Sequence, residues 1–101
     1  MEIHLWTWSG KYFGYRDGDE LWTHDGRLAG RFYHDEVYGA AGRYLGEVRD
    51  VDRLITNRAK KGESRGPFSI HRRRAQPPRE PDSGRAMLDG YQDFPLPEEF
   101  A

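Results

Sequence analysis

The chain contains no cysteine and only a modest share of apolar residues. Because there is no Cys among the 101 residues, no disulfide can hold the fold and no thiolate can act as ligand or nucleophile. Hydrophobic residues make up 36% and charged residues 33%, so the apolar side chains must be concentrated for a core to form. No apolar run approaches the roughly 18 residues of a membrane span, and residues 1–4 lack the features of a signal peptide. We therefore expect a soluble cytoplasmic protein.

The near-neutral net charge of −1 conceals three blocks. Residues 1–57 hold 7 Lys/Arg against 10 Asp/Glu, residues 58–79 hold 8 against 1, and residues 80–101 hold 1 against 6. A chain of this length favours one domain with room for a tail. We predict a body over residues 1–57 and a Pro-rich, low-complexity tail over residues 58–101, basic and then acidic, whose end docks onto the body.

Three copies of a 16-residue unit occupy residues 5 to about 53. Two glycine columns recur at that spacing: Gly10, Gly26 and Gly42, then Gly14, Gly30 and Gly46. An aliphatic and an aromatic residue precede each turn: Leu5-Trp6, Leu21-Trp22 and Val37-Tyr38. A fourth unit begins at Leu54-Ile55, one residue late, and is soon lost. The pattern predicts an all-β protein built as an antiparallel meander of three to four hairpin repeats.

The turns set the expected register. Glycine stands second in Ser9-Gly10, Asp25-Gly26 and Ala41-Gly42, where a two-residue type I′ turn needs positive φ. That turn places the following residues opposite one another: Trp6 and Phe13, Trp22 and Ala29, Tyr38 and Leu45. It also places Leu5, Leu21 and Val37 opposite glycines of the second column.

Adjacent apolar residues within the strands indicate that both faces of the sheet need burial. One face would form the core of a curled sheet: Leu5, Tyr12, Leu21, Leu28, Phe32, Val37, Tyr44 and Val48. The other face is more aromatic: Trp6, Phe13, Trp22, Tyr38 and Leu45. An apolar patch of this kind predicts an interface or a ligand site, and a symmetric oligomer would cover it most simply.

These repeats resemble a family of small bacterial proteins described as the four-fold beta flower. The resemblance lies in Leu21-Trp22 through Gly26-Arg27-Leu28-Ala29-Gly30, in Val37-Tyr38-Gly39, and in an acidic, Phe-containing end with Asp93-Phe94 and Glu98-Glu99-Phe100. It covers residues 1 to about 57. It implies a homotetramer whose strands splay around a four-fold axis with an apolar central pocket, and it implies no known catalytic activity.

Other polar residues favour structural over catalytic roles. His4, His24, His34 and His71 lack the spacing of a zinc site, and we predict neither metal nor cofactor. Carboxylates recur once per repeat at the looser turns, as in Asp19-Glu20 and Asp35-Glu36, which is typical of turn chemistry. We therefore expect no enzyme activity.

The leading functional hypothesis is a non-catalytic homo-oligomer, expected to be a tetramer, with an aromatic axial pocket. Trp6, Phe13, Trp22, Tyr38 and Leu45 would line the pocket or the oligomer interface. Its ligand would be an elongated apolar molecule, lipid-like or polyether, or a partner segment. The alternative is a nucleic-acid-associated accessory protein that acts through the basic tail, with Arg72, Arg73 and Arg74 as polyanion contacts.

Overall fold

The computed structural model describes residues 1–100, which form eight β-strands and two short 3-10 helices. The strands are β1 (Glu2–Thr7), β2 (Tyr12–Asp17), β3 (Glu20–Thr23), β4 (Leu28–Tyr33), β5 (Glu36–Tyr38), β6 (Tyr44–Arg49), β7 (Arg53–Asn57) and β8 (Tyr91–Asp93). The 3-10 helices are η1 (Arg58–Lys60) and η2 (Pro97–Phe100). The first seven strands pair in sequence order as an antiparallel meander, which confirms the all-β prediction.

The meander closes on itself into a seven-stranded barrel. Strand β7 pairs in parallel with β1, with Trp6 beside Arg53 and Thr7 beside Leu54. Further along the same edge of β7, β8 pairs in an antiparallel direction, with Ile55 beside Asp93. Closure leaves few unpaired edge groups. The fourth unit, whose repeat pattern fades in the sequence, therefore supplies the closing strand.

Each tight turn is a three-residue loop rather than the two-residue turn we expected. The Thr7 N–H donates to the Lys11 carbonyl oxygen at 2.7 Å, around Trp8-Ser9-Gly10. Gly10 has φ +99°, and the corresponding Gly26 and Gly42 have φ +87° and +90°. The expected left-handed glycines are confirmed, but the predicted type I′ turn is wrong. A left-handed glycine ending a three-residue loop is typical of hairpins with a bulge.

The bulge changes the register near each turn. Leu5 lies opposite Gly14 as expected, yet Trp6 lies opposite Tyr12, which leaves Phe13 as an extra residue. The same shift pairs Trp22 with Leu28 and Tyr38 with Tyr44. The predicted pairing of Trp6 with Phe13, and its counterparts in the other two repeats, is wrong because one extra residue in a strand turns its neighbours to the other face.

The curled sheet encloses the core, as expected, but with a different membership. Buried residues of the interior cluster are Leu5, Phe13, Leu21, Ala29, Phe32, Val37, Leu54 and Phe94. Leu45, Val48 and Phe100 are partly buried against it. The predicted core residues Tyr12, Leu28 and Tyr44 lie outside this cluster. No helix among residues 1–100 is long and apolar enough to cross a membrane.

Candidate functional site

Residues 61–88 form an extended segment, the strap, which crosses the hairpin turns in reverse order. At each hairpin a strap N–H donates to the carbonyl oxygen of the turn glycine: Arg65 to Gly42 (2.7 Å), Arg73 to Gly26 (2.9 Å) and Asp82 to Gly10 (2.9 Å). Three residues later another N–H donates to the turn: Phe68 to Ala40 (3.1 Å), Gln76 to His24 (2.6 Å) and Arg85 to Trp8 (3.0 Å). The strap therefore advances eight or nine residues for every 16 in the barrel.

Sequence reasoning missed the strap, apart from its expectation that the end of the tail docks. These contacts are made by backbone groups, which leave no residue pattern to read. The one signal lies in the turn glycines. A Cβ on Gly26 would collide with the Arg73 carbonyl, and one on Gly42 with that of Arg65. The glycine column thus satisfies both the positive φ and the close approach of the strap.

The five residues expected to form one aromatic face are divided between two. Phe13 and Leu45 pack in the barrel interior. Trp22 belongs to a separate outer cluster with Tyr15 and Leu28, against which Phe68 of the strap packs. Trp6 and Tyr38 pair with Tyr12 and Tyr44 in the same register. The prediction of one shared face is therefore wrong, and the physical reason is the bulge at each turn.

The chain's own strap covers the outer aromatic side chains. Trp22 and Tyr38 are 0% and 2% exposed. An arginine of the strap lies over aromatic rings in each repeat, with these distances from the guanidinium carbon to the ring centroid: Arg85 to Trp8 (5.8 Å), Arg73 to Trp22 (4.2 Å), and Arg65 to Tyr33 (4.5 Å) and Tyr38 (5.2 Å). The sequence predicts that a second copy covers this face; in the structure the strap lies over these rings within one chain by cation–π stacking, and the oligomer stays a prediction.

A buried arginine anchors the acidic half of the strap. Arg53 is 1% exposed, and its guanidinium lies 3.0 Å from the Asp82 carboxylate and donates to the Ser83 carbonyl oxygen at 2.7 Å. Hydrogen bonding from the Ser83 backbone, with Arg53 close by, lowers the pKa of Asp82. Arg53 also lies 3.6 Å from the Asp52 carboxylate, and its contacts with Asp82 and Ser83 fix where this half of the strap lies.

The start of the strap is held by Lys60, which lies between two carboxylates. Its Nζ donates to Glu36 at 2.7 Å and to Glu47 at 3.2 Å. The Lys60 hydrogen bond lowers the pKa of Glu36, and the Glu36 hydrogen bond raises the pKa of Lys60. The Tyr44 hydroxyl donates to Glu47 at 2.8 Å, and burial raises the pKa of that tyrosine strongly. These groups form a structural node where the strap leaves the barrel.

The three arginines expected to contact a polyanion have different surroundings. Arg73 is engaged by the barrel, with Nη1 2.8 Å from Asp17 and Nη2 3.6 Å from Glu20. Arg72 is exposed, and its backbone forms an antiparallel bridge with Arg27. Arg74 is exposed and has no carboxylate within ion-pairing distance in residues 1–100. Of the three, Arg72 and Arg74 face solvent free of the barrel's acidic groups.

Basic residues of the barrel and the strap converge on the second and third hairpins. The bridges Arg27–Arg72 and Arg43–Ser64 align the residue after each turn glycine with the strap. We call the basic residues of these two hairpins and of the strap beside them the basic rim, composed of Arg27, Arg43, Lys61, Arg72 and Arg74. The acidic half of the strap lies instead on the first hairpin, where Asp82 pairs with Arg53. Across residues 1–100, no salt bridge joins residues 58–79 to residues 80–100.

A cavity of about 170 Å³ opens beside the basic rim. Its lining combines two guanidinium groups with three apolar side chains: Arg27, Leu28, Ile70, Arg72 and Phe100. Ile70 is 63% exposed, whereas Leu28 is buried. Arg27 Nε is buried and has no hydrogen-bond partner within residues 1–100, although its Nη1 lies 3.7 Å from Asp25. The site therefore offers both positive charge and apolar surface.

The remaining polar residues show structural contacts. His4 Nδ1 lies 2.8 Å from the Tyr12 hydroxyl, and His71 contacts the Trp22 ring with centroids 5.1 Å apart. Within the described part of the chain, no group of three or more His, Asp or Glu side chains is placed to hold a metal ion. Asp19 lies at a looser turn, as expected, and Glu20 begins β3 directly after it.

Comparison of the chain with protein-family models, curated proteins and solved structures yields no match. The resemblance to the four-fold beta flower family thus stays a prediction, as does the homotetramer that it implies. Function has to be argued from the strap, the basic rim and the cavity.

Proposed function

We propose that this protein is a non-catalytic binding module that takes a polyanion of the nucleic-acid class on its basic rim. The observation that carries the proposal is the separation of charge along the strap. Its acidic half pairs with Arg53 and its basic half lies elsewhere, so within residues 1–100 the carboxylates of the acidic half do not pair with the rim, in which Arg27 alone lies near a carboxylate, that of Asp25 at 3.7 Å. Exposed arginines and lysines on one surface bind phosphates through counterion release.

Backbone bridges hold two residues of the rim in place. Arg72 and Arg43 are placed by backbone bridges to their neighbours, so their Cα positions follow from the barrel. Arginine in particular can pair with phosphate oxygens through two parallel hydrogen bonds. Five cations along two neighbouring hairpins and the strap exceed what a small neutral ligand would require. A chain of phosphates uses them all.

Salt titration of binding to random-sequence DNA, followed by fluorescence anisotropy, tests the proposal. With three to five phosphate contacts, the slope of log K against log salt should be about −3 to −4.5 for duplex DNA and about −2 to −3.5 for a single strand. The variant Arg72→Ala/Arg74→Ala should weaken binding and flatten the slope by about one to two. The control Lys11→Ala/Arg49→Ala removes the same charge outside the rim and should have little effect. Equal losses in both variants, or a flat slope for the unaltered protein, would refute the proposal.

The homotetramer with an aromatic pocket for an elongated apolar ligand is the second candidate. Its support is that the strap covers the outer rings mainly with polar groups. Arginine side chains and backbone lie over these rings, and Phe68 is the apolar strap residue that packs against the cluster around Trp22. Such a cover can be displaced more readily than an apolar one. A chain truncated after Asn57 exposes Trp22 and Tyr38 and should associate in light scattering at micromolar concentration. A folded, monomeric truncated chain would exclude this candidate.

A further inference from the structure

We propose that the cavity beside the basic rim receives one unstacked nucleobase, so that the protein prefers single-stranded nucleic acid to duplex. The inference rests on the proposed function, since the rim must first hold the phosphate chain. It adds a second element of recognition, contact with a base. At the cavity, the rim residues Arg27 and Arg72 lie beside the apolar side chains of Leu28, Ile70 and Phe100.

The size and lining of the cavity suit a single planar ring. Its volume of about 170 Å³ matches the class of cavity that accommodates one aromatic ring. Phe100 and Ile70 offer apolar surface for stacking, and Leu28 closes the barrel side. Base stacking on protein side chains tolerates sequence, because every base has a π face. A recess that places three apolar side chains beside two guanidinium groups therefore suits a base together with its flanking phosphate.

Phe100 is held in place by the core. Its ring stacks on Phe94 with centroids 6.3 Å apart and meets Phe13 edge-on at 5.7 Å. These contacts pack one side of the ring against the core cluster. A preorganised stacking surface reduces the ordering cost of binding.

The two arginines of the cavity lie on adjacent backbone segments joined by the Arg27–Arg72 bridge. Two guanidinium groups on adjacent backbone segments repel one another, and an anion between or beside them relieves that repulsion. Arg27 also carries the buried Nε that has no partner within residues 1–100. Phosphates flanking an inserted base would meet this positive charge.

The preference for single strands follows from base stacking. A duplex keeps its bases stacked, and one base must be unstacked at a cost in free energy before it can enter the cavity.

The experiment compares four ligands by fluorescence anisotropy or competition: a twelve-residue oligothymidylate, an abasic strand of the same length, a duplex of the same length, and thymidine monophosphate. Oligothymidylate should bind about tenfold more tightly than the abasic strand, because only it presents bases. Equal affinity for these two strands overturns the inference while leaving the proposed function intact. Absence of salt-dependent binding to every strand overturns both.

The variant Ile70→Ser alters the cavity at an exposed position. It should lower affinity for oligothymidylate severalfold, with unchanged affinity for the abasic strand and an unchanged salt slope. Met87→Ser is the matched control, since Met87 is a half-exposed strap residue outside the cavity. Equal effects of the two substitutions overturn the inference. So does thymidine monophosphate binding as tightly as the strand, which would mark the cavity as a small-anion site.

Discussion

The turn glycines hold the strap, and Gly26→Ala tests that contact. Gly26 has φ +87°, and a Cβ there would lie well under 3.0 Å from the Arg73 carbonyl oxygen. Gly18 is a matched control, because it has φ +62° and nothing within 4 Å of the added Cβ. Each Gly→Ala change places alanine in the left-handed region at a cost of about 1–2 kcal/mol, and each lowers the conformational entropy of the unfolded chain to a similar extent. The difference between the two variants therefore isolates the strap.

The magnitude follows from the contacts that Gly26→Ala displaces. Arg73 donates to Gly26 at 2.9 Å, and Gln76 donates to His24 at 2.6 Å. Loss of two hydrogen bonds, each worth about 0.5–1.5 kcal/mol net, predicts that Gly26→Ala is less stable than Gly18→Ala by about 1–3 kcal/mol. The Arg73–Trp22 stacking adds to this if the strap lifts locally.

Urea denaturation of both variants measures the difference in the free energy of unfolding, provided that unfolding is two-state. Limited trypsin digestion measures strap release directly, since residues 72–74 are three consecutive arginines. Gly26→Ala should be cleaved there faster than Gly18→Ala in the absence of urea. Stabilities that agree within about 0.5 kcal/mol, with equal cleavage rates, would refute the argument that the strap depends on the bare glycine backbone.

Two further predictions concern stability. Val51 is a β-branched residue at φ +73° and is 89% exposed, so Val51→Gly should relieve strain without loss of packing and stabilise the fold by up to about 1 kcal/mol; a lower melting temperature would contradict this. The Lys60 hydrogen bond lowers the pKa of Glu36. The stability that this hydrogen bond contributes is therefore present above the unfolded pKa of Glu36, about 4.3, and is lost as pH falls through the lower pKa of the folded state. Lys60→Met should therefore lower the free energy of unfolding near pH 7, and the values for the variant and the unaltered protein should converge in strong acid. Urea denaturation at several pH values measures both, and a constant difference down to pH 2 would count against the argument.

The repeats were predictable because their requirements are local. A left-handed turn position demands glycine whatever it packs against, and Gly10, Gly26 and Gly42 all have positive φ. The opposition of Leu5 and Gly14 also follows from local hairpin geometry. The bulge at Phe13 was not predictable, because two-residue and three-residue loops both place glycine last before the returning strand. That one-residue difference moved Phe13 and Leu45 from the expected aromatic face into the core.

The candidate site depended on contacts that the sequence does not encode as a pattern. The residues after the turn glycines and the basic stretch of the tail are each visible in the sequence, but the bridge between Arg27 and Arg72 joins positions 45 residues apart. The cavity needs Phe100 as well, which the core positions through Phe13 and Phe94. None of these pairings has a fixed spacing or a required residue type.

The amino-acid sequence by itself determined an all-β repeat protein, the conformation of its turn glycines and the separation of a basic from an acidic tail. Each is a property of neighbouring residues: turn geometry, alternation of apolar positions and charge along the chain. Only the tertiary structure decided that β7 meets β1 to close a barrel, that the strap covers the outer rings, and that the basic rim adjoins an apolar cavity. These features rest on backbone hydrogen bonds between distant segments, and because nearly every residue carries the same backbone groups, such pairings have no residue code.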